Sequence, residues 1–253
     1  MNYFFSFKNK NFISKLTIPK FKNKSKLSEN LNLYSLEINN KKWLYKKIKC
    51  DEDKDFFHLK GELIDNDIIY FITKKTVKDM NKNSLEILDN YTDTEPAFRS
   101  NFCIKNSKGG FSSYQSEYPF EMTKKKGNIL SPIDTLLSKD NEKNFIIFKN
   151  IYYKPLKLNF DAYLIDYQKK RILKKYIFKT NYTNFVNIEK KFINPNIFFF
   201  TCDYIGIPIF LSENNFSLSL EHTHPFHLYF LGKNGFEKSK ELKDEFKKIC
   251  GIL

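Results

Sequence analysis

Arg99-Ser100-Asn101-Phe102-Cys103-Ile104-Lys105-Asn106-Ser107-Lys108-Gly109-Gly110-Phe111-Ser112-Ser113-Tyr114-Gln115-Ser116-Glu117-Tyr118 reads as a β-hairpin. A three-residue hairpin loop takes glycine at its last, left-handed position, and Ser107-Lys108-Gly109 fits, pairing Asn106 with Gly110. Counting back, Ile104 faces Ser112, Phe102 faces Tyr114 and Ser100 faces Ser116. On the opposite face Cys103 meets Ser113, Asn101 meets Gln115 and Arg99 meets Glu117. One face therefore carries Phe102, Ile104 and Tyr114, and the other carries Arg99, Asn101, Gln115 and Glu117. Alternation of this kind belongs to a half-buried antiparallel sheet.

The same signature recurs on both sides of the hairpin. Leu31–Ile38, Lys42–Ile48, Phe56–Leu59 and Ile68–Thr73 precede it as short strand-like segments, punctuated by Asn39-Asn40 and Asp65-Asn66. Asn144–Tyr153, Phe160–Tyr167, Arg171–Lys179, Asn181–Ile188, Ile197–Thr201 and Ile207–Ser212 follow it. Many short strands with regular turn signals predict a mainly β (α+β) fold: an antiparallel β-sandwich or related β-rich domain with a C-terminal helix. No fixed sequence period marks a repeat architecture. Two helices are expected. Ser131-Pro132-Ile133-Asp134 offers an N-cap with proline at the first helical position, opening a short helix through Leu137. Leu242, Phe246 and Ile249 recur at helical spacing, with Gly251 as the cap, and should face the sheet. Residues 1–30 hold Lys8, Lys10, Lys15, Lys20, Lys22, Lys24 and Lys26 against Glu29 alone. They read as a basic N-terminal arm before a single domain over 31–253.

A second hairpin carries the histidines. Ile207 to Glu213 leads through an Asn214-Asn215 turn into Phe216-Ser217-Leu218-Ser219-Leu220-Glu221-His222-Thr223-His224-Pro225-Phe226-His227. Alternation puts Phe216, Leu218, Leu220, His222 and His224 on one core-facing row, and Ser217, Ser219, Glu221 and Thr223 on the other. The chain has four histidines, and three of them fall here. His-x-His on a strand can aim two imidazoles at one divalent metal, the spacing cupin-like sites use, with His227, Glu117 or Glu221 as third ligand. The cupin-like glutamate shortly after the second histidine is missing, and no HExxH occurs. Metal-free functional histidines and structural histidines bonded to backbone or tyrosine fit the same pattern.

Composition narrows the classes. The formal charge of +14 suggests nucleic acid or an anionic surface. Yet Arg99 and Arg171 are the two arginines among 43 basic residues. Base and phosphate recognition favours the planar arginine fork, so the lysine skew argues against a specific nucleic-acid reader. Cys50, Cys103, Cys202 and Cys250 form no CxxC pair, and four cysteines in 253 residues make no disulfide framework. The aromatic, lysine-broken start Met1–Lys8 lacks a signal-peptide core, and no apolar run reaches membrane-span length, so the expected location is the cytoplasm. No Walker A, G-x-G-x-x-G or G-x-S-x-G is present.

Arg99-Ser100-Asn101, Ser113-Tyr114-Gln115-Ser116-Glu117-Tyr118-Pro119 and Glu221-His222-Thr223-His224-Pro225 together resemble an uncharacterised bacterial family associated with surface-polysaccharide gene neighbourhoods. The resemblance covers roughly residues 30–250. It implies a carbohydrate ligand and carries no mechanism.

These readings predict a domain that binds or modifies a carbohydrate or similar polar small molecule. Arg99, Asn101, Gln115 and Tyr114 would hold the ligand, Arg99 taking an anionic group. In an enzyme, His222 or His224 would serve as base or metal ligand, with Glu117 as partner acid or base. A non-catalytic structural or assembly protein is the alternative, motivated by the aromatic β-architecture. Single-stranded nucleic-acid binding, from charge plus aromatics, is the second.

Overall fold

The computed structural model describes residues 2–22, 26–27, 31–77, 81–86, 99–222 and 235–252. Among these, four larger antiparallel sheets and one two-stranded ribbon account for the strands. The six-stranded sheet runs β10 (Asn81–Lys82), β6 (Lys42–Lys47), β5 (Asn32–Asn39), β9 (Ile69–Thr73), β1 (Asn2–Phe5), β13 (Glu117–Pro119). The five-stranded sheet runs β12 (Phe111–Gln115), β11 (Asn101–Asn106), β2 (Phe12–Pro19), β8 (Phe56–Lys60), β7 (Asp51–Glu52). An inner four-stranded sheet runs β18 (Tyr182–Asn187), β15 (Lys143–Asn150), β20 (Ile207–Asn214), β21 (Ser217–Glu221). An outer one runs β14 (Leu130–Pro132), β19 (Ile197–Thr201), β16 (Asn159–Asp166), β17 (Arg171–Lys179). The ribbon is β3 (Phe21–Lys22) with β4 (Lys26–Leu27), and α1 (Gly235–Ile249) is the long helix.

Side-chain alternation builds a stack of layers. On β15, Phe145 and Ile147 enter a core shared with the six- and five-stranded sheets, while Ile146 and Phe148 enter a second core. On β20, Ile209 and Leu211 join the first core and Phe210 the second. The outer sheet closes the second core with Phe160, Ala162 and Leu164, and sends Tyr163 and Ile165 to a third, beneath α1. A strand buried on both faces needs a continuous apolar run, and Phe145-Ile146-Ile147-Phe148 and Phe198-Phe199-Phe200 supply it. In the third core Phe246 is fully buried against Phe200 and stacks on Tyr167 at 5.3 Å, with Leu242 and Ile249 beside it. The expected inward face of the helix is the observed one. Its end is a Schellman cap: Gly251 N–H donates to Lys248 O at 3.0 Å and Ile252 N–H to Lys247 O at 3.0 Å, with Gly251 at φ +68°. No helix among the described residues is long and apolar enough to cross a membrane.

Several expectations change. Residues 1–30 are not a loose arm over their described length. β1 lies between β9 and β13, and β2 lies between β8 and β11. The lysines misled because Lys8, Lys10 and Lys15 are exposed positions of a segment that also buries apolar side chains. Phe12, Leu16 and Ile18 point into the first core, while Lys15 points out. The helix from Ser131 does not form. Ser131 and Pro132 belong to edge strand β14, where a missing N–H is tolerated, and a single turn after them buries Ile133 and Leu137. The second hairpin turns at Asn215-Phe216, since Asn214 pairs with Ser217. Phe216 therefore sits on the turn, 80% exposed, outside the apolar row. Finally, the first hairpin changes sheets at Ser116. Beyond it Glu117 pairs with Phe4 of β1 rather than continuing along β11.

Candidate functional site

The register of the first hairpin is the expected one, with Asn101 opposite Gln115, Phe102 opposite Tyr114, Cys103 opposite Ser113 and Ile104 opposite Ser112. Gly109 holds φ +96° at the loop's end. The neighbouring strands extend this register across the whole five-stranded sheet. Asn101 faces Thr17 on β2, Thr17 faces His58 on β8, and His58 faces Asp51 on β7. Gln115, Asn101, Thr17, His58 and Asp51 thus form one cross-strand row on the sheet's outer face. At the usual interstrand spacing this row is about 19 Å long. A second row places Ser113, Cys103, Lys15 and Lys60 beside it, and a third places Phe111, Lys105 and Ile13. Phe111 and Ile13 are 61% and 64% exposed. The inward residues of the same strands, Phe102, Ile104, Leu16, Leu59 and Phe57, are buried in the first core.

Local bonds preset the polar row. Arg99 Nη1 donates to Gln115 Oε1 at 2.5 Å, and Asn101 Nδ2 donates to Arg99 O at 3.1 Å. At the other end the ring Nε2 of His58 lies 2.8 Å from Asp53 Oδ2. Asp53 Oδ1 accepts the amides of Asp55 and Phe56, each at 2.7 Å. The His58 hydrogen bond, with those amides, holds the Asp53 carboxyl down to about 2. Lys60 Nζ lies 2.6 Å from Asp51 Oδ2; that bond lowers the Asp51 carboxyl and raises the Lys60 ammonium. Between them is a shallow depression of about 230 Å³, lined by Lys15, Thr17, Asp51, His58 and Lys60.

The other expected residues divide. Tyr114 is on the inward side, packed against the first core, and burial pushes its phenol above the ordinary value. Its ring meets the His222 ring edge-on at 5.1 Å, so the two hairpins touch. Leu218 and Leu220 continue the contact within the first core, and Ser217, Ser219 and Glu221 are exposed, as alternation requires. Glu117 Oε1 accepts the Ser100 amide at 3.3 Å. His224 and His227 lie outside the described residues. Among the described residues, no three His, Cys, Asp or Glu side chains could together hold a metal ion.

The sequence reading found one end of the polar row and missed the other. Phe56-Phe57-His58-Leu59-Lys60 alternates plainly, so His58 was legible as an outward residue. Its register with Thr17 and Asn101 was not, because the lysines around β2 mask its strand character.

No protein family, curated protein or solved structure matches this chain.

Proposed function

We propose that the outer face of the five-stranded sheet binds a carbohydrate or similarly hydroxyl-rich ligand. The observation that carries this reading is the continuous row Gln115, Asn101, Thr17, His58 and Asp51, with a depression at one end. Sugars are recognised by fixed amide, hydroxyl, imidazole and carboxylate groups that meet their hydroxyls in pairs. A rigid antiparallel sheet fixes such groups without ordering a loop, which lowers the entropic cost of binding. Arg99, Lys15 and Lys105 suit an anionic substituent such as a uronate, and exposed Phe111 offers an apolar platform for a ring's C–H face. His58 is held by Asp53 beside the row and faces Asp51 across the sheet, an imidazole fixed between carboxylates that can meet paired hydroxyls of a ligand.

The test is calorimetric titration with neutral and uronate-containing oligosaccharides. Binding that weakens about tenfold or more in Asn101→Ala and His58→Ala, and stays unchanged in Tyr114→Phe, supports the reading. No binding, or binding indifferent to the outer-face variants, overturns it. A parallel titration with a single-stranded oligonucleotide, showing tight and steeply salt-dependent binding, would favour the nucleic-acid alternative instead.

A further inference from the structure

The four cysteines are far apart in sequence, but the fold brings two of them together. Cys202 follows β19, and its amide donates to Asp161 O at 3.1 Å. Asp203, in a left-handed conformation (φ +67°), turns the chain immediately afterwards. Cys250 is the last residue before the Gly251 cap of α1, and its amide donates to Phe246 O at 3.1 Å. Cys202 is 3% exposed inside the third core, and Cys250 packs against that core from the helix, partly exposed. Both side chains belong to the third core, near enough for each thiol to shift the other. Cys50 and Cys103 lie elsewhere, against the first core and on the outer face of the five-stranded sheet.

We propose that Cys202 and Cys250 form a reversible disulfide by exchange with a low-molecular-weight disulfide, Cys250 attacking and Cys202 resolving. The roles follow from placement. Cys250 is the thiol within reach of solvent, whereas Cys202 is enclosed. The neighbouring Cys202 lowers the Cys250 thiol, with help from Lys175; the same proximity, with burial, raises the Cys202 thiol. These effects work against partial burial of Cys250, the Asp161 carboxylate and the negative end of α1. In the first step the Cys250 thiolate attacks one sulfur of the disulfide RSSR. A Cys250–SR bond forms and RS⁻ leaves, taking up a proton. In the second, Cys202 gives up its proton and its sulfur attacks Cys250 Sγ, expelling the second RS⁻. Two thiols are oxidised and RSSR is reduced to two RSH.

The bond would tie the end of α1 to the end of β19 and close the chain between residues 202 and 250 into one loop. Long closed loops gain the most from such a tie. The helix would pass from a packed layer to a covalently held one according to the thiol–disulfide balance around it.

The experiment is equilibration of the purified, reduced protein with oxidised glutathione at graded ratios to reduced glutathione, read by intact mass and peptide mapping after alkylation. The expected result is loss of two hydrogens with a single peptide linking Cys202 to Cys250. Melting should shift up by roughly 5 °C or more and return on reduction. Cys202→Ala should accumulate a glutathione adduct on Cys250, whereas Cys250→Ala should leave Cys202 unmodified. Both thiols remaining alkylatable in the wild-type protein at the most oxidising ratio would overturn the proposal. So would a glutathione adduct on wild-type Cys250 that Cys202 never displaces. The wild-type mapping decides the matter even if a variant folds poorly.

Discussion

The rings of Tyr114 and His222 meet edge-on with centroids 5.1 Å apart, joining edge strand β12 of the five-stranded sheet to the end of edge strand β21 of the inner sheet. This contact gives His222 a packing role beside the first core. Tyr114→Ala should cost about 2–4 kcal/mol and His222→Ala about 1 kcal/mol. The double variant should cost less than their sum by about 0.5–1.5 kcal/mol, the range of a specific ring–ring contact. Urea denaturation of the four proteins measures this, and strict additivity would show that the rings do not interact.

Lys149 is fully buried on β15, next to the Phe5 ring, with Nζ donating to Asn66 O at 3.3 Å. Asp65 and Asp67 face it, and Lys157, paired with Asp67 at 2.7 Å, opposes its charge. Burial brings its ammonium down to about 7. An unfolded lysine keeps its proton to about pH 10. Between those values the unfolded state holds the extra proton, so stability contributed by this group rises with pH from about 7 to about 10. Below 7 both states are charged and the burial penalty is fully present. Lys149→Met should therefore stabilise the protein at pH 6 by about 1–4 kcal/mol and flatten stability between pH 7 and 10. Asn66 O keeps the Thr183 amide as partner. Denaturant midpoints across that range test it, and an unchanged pH slope would refute it.

Phe246 anchors α1, being fully buried between Tyr167, Phe198 and Phe200. Phe246→Ala should cost about 3–4 kcal/mol, with the 222 nm helix signal lost before the sheet signal on heating. A single unchanged cooperative transition would mean that the helix does not depend on this contact.

Ser116 marks the passage from β12 to β13. Its hydroxyl donates to the Ser100 hydroxyl at 2.8 Å, and both residues are fully buried. Ser116→Ala should cost about 1–2 kcal/mol, and adding Ser100→Ala should cost less than the same again, because the second change removes the polar group the first left behind. Thermal melts of the single and double variants read the difference.

The strand segments, the Gly109 hairpin with its register and the Gly251 cap could all be read from residues a few positions apart. Each rests on local rules: alternation, a left-handed loop residue, a helix stop. Counting puts Tyr114 on one face with Phe102 and Ile104, and in the structure that face packs on the first core. The Asn215-Phe216 turn shows the limit of such counting. Asn214-Asn215 is good turn chemistry, yet the chain pairs Asn214 with Ser217, a two-residue shift of register that leaves Leu218 and Leu220 on the buried face and moves only Phe216 out of the row onto the exposed turn.

An antiparallel β-protein ending in an amphipathic helix is legible from the residues alone, because side-chain alternation and capping are set by neighbours along the chain. That β1 and β2 lie inside their sheets emerges from the folded chain, since a solvent-facing lysine on a strand looks the same as one on an arm. Only the tertiary structure set Thr17 and His58 in line with Asn101 and brought Cys202 to Cys250. Those relationships need segments distant in sequence to pair or pack. The partner is chosen by closing shared apolar cores, a condition on the whole chain that no local window contains.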